Sequence, residues 1–321
     1  TIPAFLPIYK KLHMRPVVIC AIIGAAMSIM NLLPWGGPVA RSASILKIAP
    51  EEIWRELIPL QGVGLVIVIA FAVYMGILEK RRGAGLNPTG KAAELSDELT
   101  EASDDPAAAE KAAAMKRPKL LWFNALLTIG VILSLCFTKI PMYGAFMIGL
   151  ALALLVNFPG AKAQAAAIKM HAATALTMPM VLLASGVFLG VLTGSKMIDA
   201  LAKTMITMVP AAVGPHLQLV FGILAVPIGA LVGTDSYFFG LMPLAISMGK
   251  EFGVQAHDMM MAMLIGKNYA VLVTPHAATT FLCCGLAGIE IKELFKFCGP
   301  YLWVLSWISL ACGIIMGVFV P

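Results

Sequence analysis

The sequence predicts an all-α polytopic membrane protein built as an inverted repeat, with broken helices and a re-entrant hairpin. Three observations carry this prediction. The chain is 60% hydrophobic and 12% charged, with a mean hydropathy of +0.90. Its apolar residues fall in blocks near the length of about 20 residues that a helix needs to cross a bilayer. Two of those blocks run into proline-bearing breaks at corresponding places in the two halves of the chain. A closed β-barrel would instead give weaker, alternating segments.

The apolar blocks, in order, are Pro16–Pro34, Ile58–Leu78, Leu120–Cys136, Met142–Val156, Met178–Leu192, Leu217–Val232, Met259–Val273 and Leu302–Val320. Before them, "TIPAFLPIY" is apolar but too short to span, and it lacks the basic start of a signal peptide. The expectation is an N-terminally shortened piece of a longer chain. One polar stretch, Glu79 to Lys119, interrupts the pattern, with basic ends and an acidic, Ala-rich middle. Basic flanks beside spans place it in the cytoplasm. The organisation read from this is residues 1–78 as the C-terminal part of a first repeat, 79–119 as a cytoplasmic linker, and 120–321 as a second repeat with its hairpin at 217–249. Every basic cluster beside a span agrees with one topology, in which "PGAKAQAAAIKMH" is a surface-lying cytoplasmic helix. Gly186, Gly190 and Gly194 form a small-residue stripe for close packing. Trp54, Trp122 and Trp303 fall near predicted interfaces.

The net charge of +6 is spread over segment ends and is no sign of nucleic-acid binding. Cys20, Cys136, Cys283, Cys284, Cys298 and Cys312 have neither metal-ligand nor disulfide spacing and read as packing residues. "NPTGK" lacks the glycine spacing of a phosphate-binding loop.

The halves share an order of features. Pro7 pairs with Pro243 at an offset of 236 residues, and Asn31 with Asn268 and Pro38 with Pro275 at 237. The topology turns one copy over relative to the other. Inverted repeats with helices broken near the midplane are characteristic of secondary transporters. In "NLLPWGGPVAR", Pro34 and Pro38 remove backbone donors while Gly36 and Gly37 permit tight turns. Irregular backbone at membrane depth is tolerated where it lines a protected cavity. The freed groups then suit an ion or an anionic substrate, and the helix resuming at Pro38 aims its positive end there. The structural alternative is a packing kink braced by neighbouring helices.

"VGTDSYFFG" interrupts the run from Leu217 to Ser247 as a hairpin tip would. Gly233 allows the turn, and Thr234, Asp235 and Ser236 offer oxygens. Asp235 is the main ionisable candidate, since an acid at membrane depth is functional by default; its alternative role is a helix cap. Lys267 is read either as a partner for Asp235 or as an attractor of an anionic substrate. His276, in the second break, is a proton relay or a cap, and Arg41 a carboxylate ligand or an outward-reaching charge. The substrate-binding set is therefore Asn31, Gly36, Gly37, Arg41, Gly233, Thr234, Ser236, Asn268, Thr274 and Pro275, with proton coupling at Asp235 and His276 and no metal site in the protein itself. No zinc, haem, nucleotide or nucleophile motif is present, so an enzyme is not expected.

At these residues the chain resembles a family. "MNLLPWGGPVARSA", "GTDSYFFGLMPL" and "TFLCCGLAGIEI" are similar to the citrate–metal:proton symporters (CitMHS) of the ion transporter superfamily. The resemblance implies uptake of citrate complexed with Mg²⁺ or Ca²⁺, symport with protons, and an elevator-type mechanism. It implies no permanently bound cofactor, the metal arriving chelated by the substrate. The implied partners are a small-molecule carboxylate, membrane lipid and a second copy in a homodimer, with no nucleic acid; the implied location is the bacterial cytoplasmic membrane. A titratable Asp235 at the tip suits protons better than sodium. His276 departs from the family pattern, where an apolar residue is usual, and leaves the substrate open. A proton- or sodium-coupled carrier of another di- or tricarboxylate or a gluconate-like acid is the alternative, and a channel a further one.

Overall fold

Why the apolar blocks stop where they do is seen in the helices themselves. The computed structural model describes residues 2–85, 120–138, 140–207, 209–210, 212–275 and 277–320. Most of the polar stretch at 79–119 and His276 lie outside the described residues. The described α-helices are α1 Ile2–Lys11, α2 Pro16–Met30, α3 Gly37–Leu46, α4 Pro50–Arg81, α5 Leu121–Phe137, α6 Met142–Asn157, α7 Ala161–Gly194 and α8 Met197–Ile206. They continue with α9 Leu217–Ile223, α10 Ala225–Val232, α11 Met242–Glu251, α12 Ala256–Asn268, α13 Ala278–Ala287 and α14 Ile291–Ile315. Among the described residues no strand is present.

Among the described residues, two single helices are long and apolar enough to cross a membrane, α4 and α14. α4 shows how its sequence earns that length. Pro50 opens it, Glu51 and Glu52 sit in its first turn, and Lys80 and Arg81 close it, as the helix dipole favours. One face buries Ile53, Leu57, Leu60, Gly64, Val68, Phe71 and Met75, while Leu65, Val66, Ile69 and Val73 point outward. A helix apolar on both faces belongs against lipid on one of them. Glu79, in the last turn, is buried and accepts hydrogen bonds from Arg15 Nε at 2.8 Å and Arg82 Nη2 at 3.1 Å. This pins the end of α4 to the start of α2, so the polar stretch begins as ordered helix.

α9 and α10 form a bent pair; the segments Gly214–Ile223 and Ala225–Val232 meet at 65°. The cause is Pro227, whose missing N–H leaves the Ile223 carbonyl unsatisfied four residues earlier. Trp303 Nε1 donates to that oxygen at 2.7 Å and Trp307 Nε1 at 3.3 Å. Trp303, expected as an interfacial belt residue, thus also braces a kink. The Ala-rich stretch expected as a separate surface helix is continuous with the following apolar block in α7, which runs on through Pro179.

The chain forms two compact units, Thr1–Ala102 with Ser185–Pro321, and Ser103–Ala184. In the second, Asn124 and Asn157 bridge α5 and α6 with paired amide hydrogen bonds of 2.9 and 2.8 Å, a polar link between apolar helices. The first unit carries a repeated contact pattern. α1 packs on α2, as α11 packs on α12; α2 and α3 pack on α4, as α12 and α13 pack on α14. Across the halves, α3 packs on α12 and α13 on α2. That reciprocity is what a two-fold operation produces.

Candidate functional site

The site is built where the two breaks meet. α2 ends at Met30 with Asn31 as its cap, and α3 restarts at Gly37. Between them the backbone turns so sharply that a Cβ on Gly36 would strike the Asn31 carbonyl. In the second half α12 ends on Asn268 and α13 begins at Ala278, after a longer break. Here Thr280 Oγ1 donates to the carbonyls of Leu272 and Thr274 at 3.0 and 2.8 Å, so side chains replace the lost helical bonds. The longer break also undoes one expected pairing. Pro38 lies in the first turn of α3, whereas Pro275 is an exposed turn residue ahead of α13.

The third wall is the tip after α10. Gly233 adopts φ +81°, a conformation that favours glycine. Helix resumes at Thr234 and passes through a π-helical turn, Ser236–Leu241, into α11. The chain doubles back here: α9 touches α11, and α10 touches the π-turn. π-turns recur at functional sites.

These three features enclose a cleft of about 190 Å³, lined by Asn31, Gly37, Pro38, Arg41, Thr234, Phe238, Lys267, Asn268, Val271, Ala277 and Thr279. Five of the expected residues, Asn31, Gly37, Arg41, Thr234 and Asn268, are brought together. Gly36 and Gly233 shape the turns behind them. Ser236 is not on this wall; it lines an apolar groove with Met197, Ile198 and Leu244. Thr274 is buried, and its hydroxyl is engaged by the Ala270 carbonyl at 2.6 Å.

The electrostatics differ from the sequence reading. Asp235 pairs with Arg41 rather than with Lys267: Arg41 Nε and Nη2 each lie 2.8 Å from Asp235 Oδ1. The pair ties the hairpin tip to α3, with Arg41 largely covered and Asp235 half exposed. Lys267 is 2% exposed, and among the described residues it has no ion pair or hydrogen bond. Its Nζ sits 5.9 Å from the centre of the Tyr237 ring. Asn268 beside it is fully buried, and neither its Oδ1 nor its Nδ2 has a partner among the described residues. An unsatisfied buried amide costs folding free energy of about 1–3 kcal/mol. A cation and an amide left open in one cleft, beside the N-terminus of α3, suit a carboxylate.

A family model described as citrate transporter matches residues 1–266. The chain is 36% identical over 92% of its length to a citrate transporter of Bacillus subtilis, covering 66% of that protein. It is 32% identical over 97% of its length to a Mg²⁺/citrate complex secondary transporter of the same organism, covering 68% of it. The chain thus spans about two thirds of the length of these curated relatives.

Proposed function

This chain belongs to the citrate transporter family, whose members are transporters rather than enzymes, and from that premise we propose that the protein carries citrate across the membrane by secondary transport. The proposed cargo is citrate complexed with a divalent cation, Mg²⁺ or Ca²⁺, moved in symport with protons. The observation that carries this reading is the cleft at the paired helix breaks, where the Asn268 amide lacks a hydrogen-bond partner among the described residues. Citrate near neutral pH carries about three negative charges, since carboxyl groups titrate well below pH 7. Chelation cancels two of them. A cleft of backbone dipoles, amides and few cations then suffices, and the metal enters as part of the substrate.

Coupling is assigned to Asp235. Its carboxylate holds Arg41 and so holds the tip against α3. A proton taken up by Asp235 removes the charge that makes this tie, which links protonation to movement of the tip. His276, the second residue proposed for coupling, lies outside the described residues.

The test is uptake of labelled citrate by cells expressing the protein, across a panel of divalent cations. Uptake should require added Mg²⁺ or Ca²⁺ and fall when a chelator removes them. Uptake that is inhibited by the metals would identify a free-citrate carrier instead.

A further inference from the structure

We propose that the two cations of the cleft have different jobs: Lys267 holds the substrate carboxylate, Arg41 serves as the latch, and Gly229 is the residue that positions Lys267. The inference rests on the transport reading above and divides the work inside its site.

Arg41 is already committed. Two of its nitrogens lie 2.8 Å from Asp235. Lys267 is buried as deeply as a core leucine yet has no acid against it among the described residues. A buried charge without a counter-charge costs folding free energy, and among the described residues only the face of the Tyr237 ring stands near this one. A carboxylate entering the cleft would supply the missing partner, with the Asn268 amide beside it.

The path of the lysine is also built. Its stem passes over Gly229 of α10, and a Cβ there would fall 2.6 Å from Cε and 3.2 Å from Nζ, and nearer still to Cδ. Only a residue without a side chain leaves that channel open. Next to Lys267 in the chain, Gly266 of α12 lies so close to α9 that a Cβ on it would strike the Gly222 carbonyl oxygen. Pro227, between Gly222 and Gly229, bends the arm, and the Tyr237 ring lies beside the ammonium. Nothing in the hairpin offers Lys267 an acceptor, so its charge stays directed at the cleft.

The experiment uses the purified full chain in detergent, with thermal unfolding read with and without magnesium plus citrate, and uptake kinetics in proteoliposomes. The parent protein should be stabilised by magnesium plus citrate. Lys267→Met should lose that stabilisation while its unliganded Tm stays equal or rises, because an uncompensated buried charge has gone. A structural lysine would give the opposite sign, a lower unliganded Tm or failure to fold, and that result overturns the proposal. Retained stabilisation by magnesium plus citrate overturns it too. Gly229→Ala should raise the KM for citrate by about tenfold, the worth of one charge-assisted hydrogen bond, with little change in maximal rate. Gly249→Ala, which meets Met259 away from the cleft, should leave KM unchanged. Equal KM in Gly229→Ala and parent would remove Gly229 from the assignment. If the parent itself neither binds nor transports citrate, the transport reading fails, separately from the division of labour.

Discussion

At the scale of single residues, the Arg41–Asp235 pair makes the most direct prediction about coupling. Asp235→Asn keeps size and hydrogen bonding but cannot titrate. In proteoliposomes with an imposed pH gradient it should lose accumulation, while exchange of labelled for unlabelled citrate persists. Accumulation equal to the parent would move coupling away from Asp235. This pair was only half legible in the sequence. Both members stood out as charges beside breaks in apolar blocks, but the partner the sequence offered for the acid was Lys267, which it read equally as an attractor of an anionic substrate. Which cation it meets depends on α3 of the first half packing on the π-turn of the second, and spacing along the chain does not encode that. Ser236 was misplaced for a related reason: the π-turn that begins there sets which way each side chain of the tip faces. Gly229 carried no signal at all, because its role exists only where a lysine from another helix crosses it.

At the scale of elements, the breaks were legible and their detailed lengths were not. Proline and glycine inside apolar blocks mark where a helix stops, and both stops fell next to the paired asparagines. The matching of Pro38 to Pro275 failed because Thr280 takes over two carbonyls and lets the second break run on. The bend between α9 and α10 offers a measurable case of the same accounting. Trp303→Phe removes the shorter hydrogen bond to the Ile223 carbonyl and should cost roughly 1 kcal/mol in thermal unfolding. In a Pro227→Ala background the helix can supply its own N–H to that oxygen. The cost of Trp303→Phe should then shrink; an unchanged cost would mean that the indole acts through packing alone.

At the scale of the whole molecule, the first compact unit reads as two copies of one plan whose broken helices exchange contacts. The composition announced a membrane protein, and the ordered landmarks led to the expectation of a repeat. The cleft required both halves at once: Asn31, Gly37 and Arg41 come from one, Thr234, Lys267 and Asn268 from the other. The central claim is that this cleft receives citrate with its metal. The direct measurement is the structure of the full chain determined in the presence of magnesium and citrate. Ligand density is expected between Asn31, Lys267 and Asn268, with a carboxylate within hydrogen-bond distance of Lys267 Nζ. Density seated elsewhere, such as the apolar groove at Ser236, with the cleft unchanged, would contradict it.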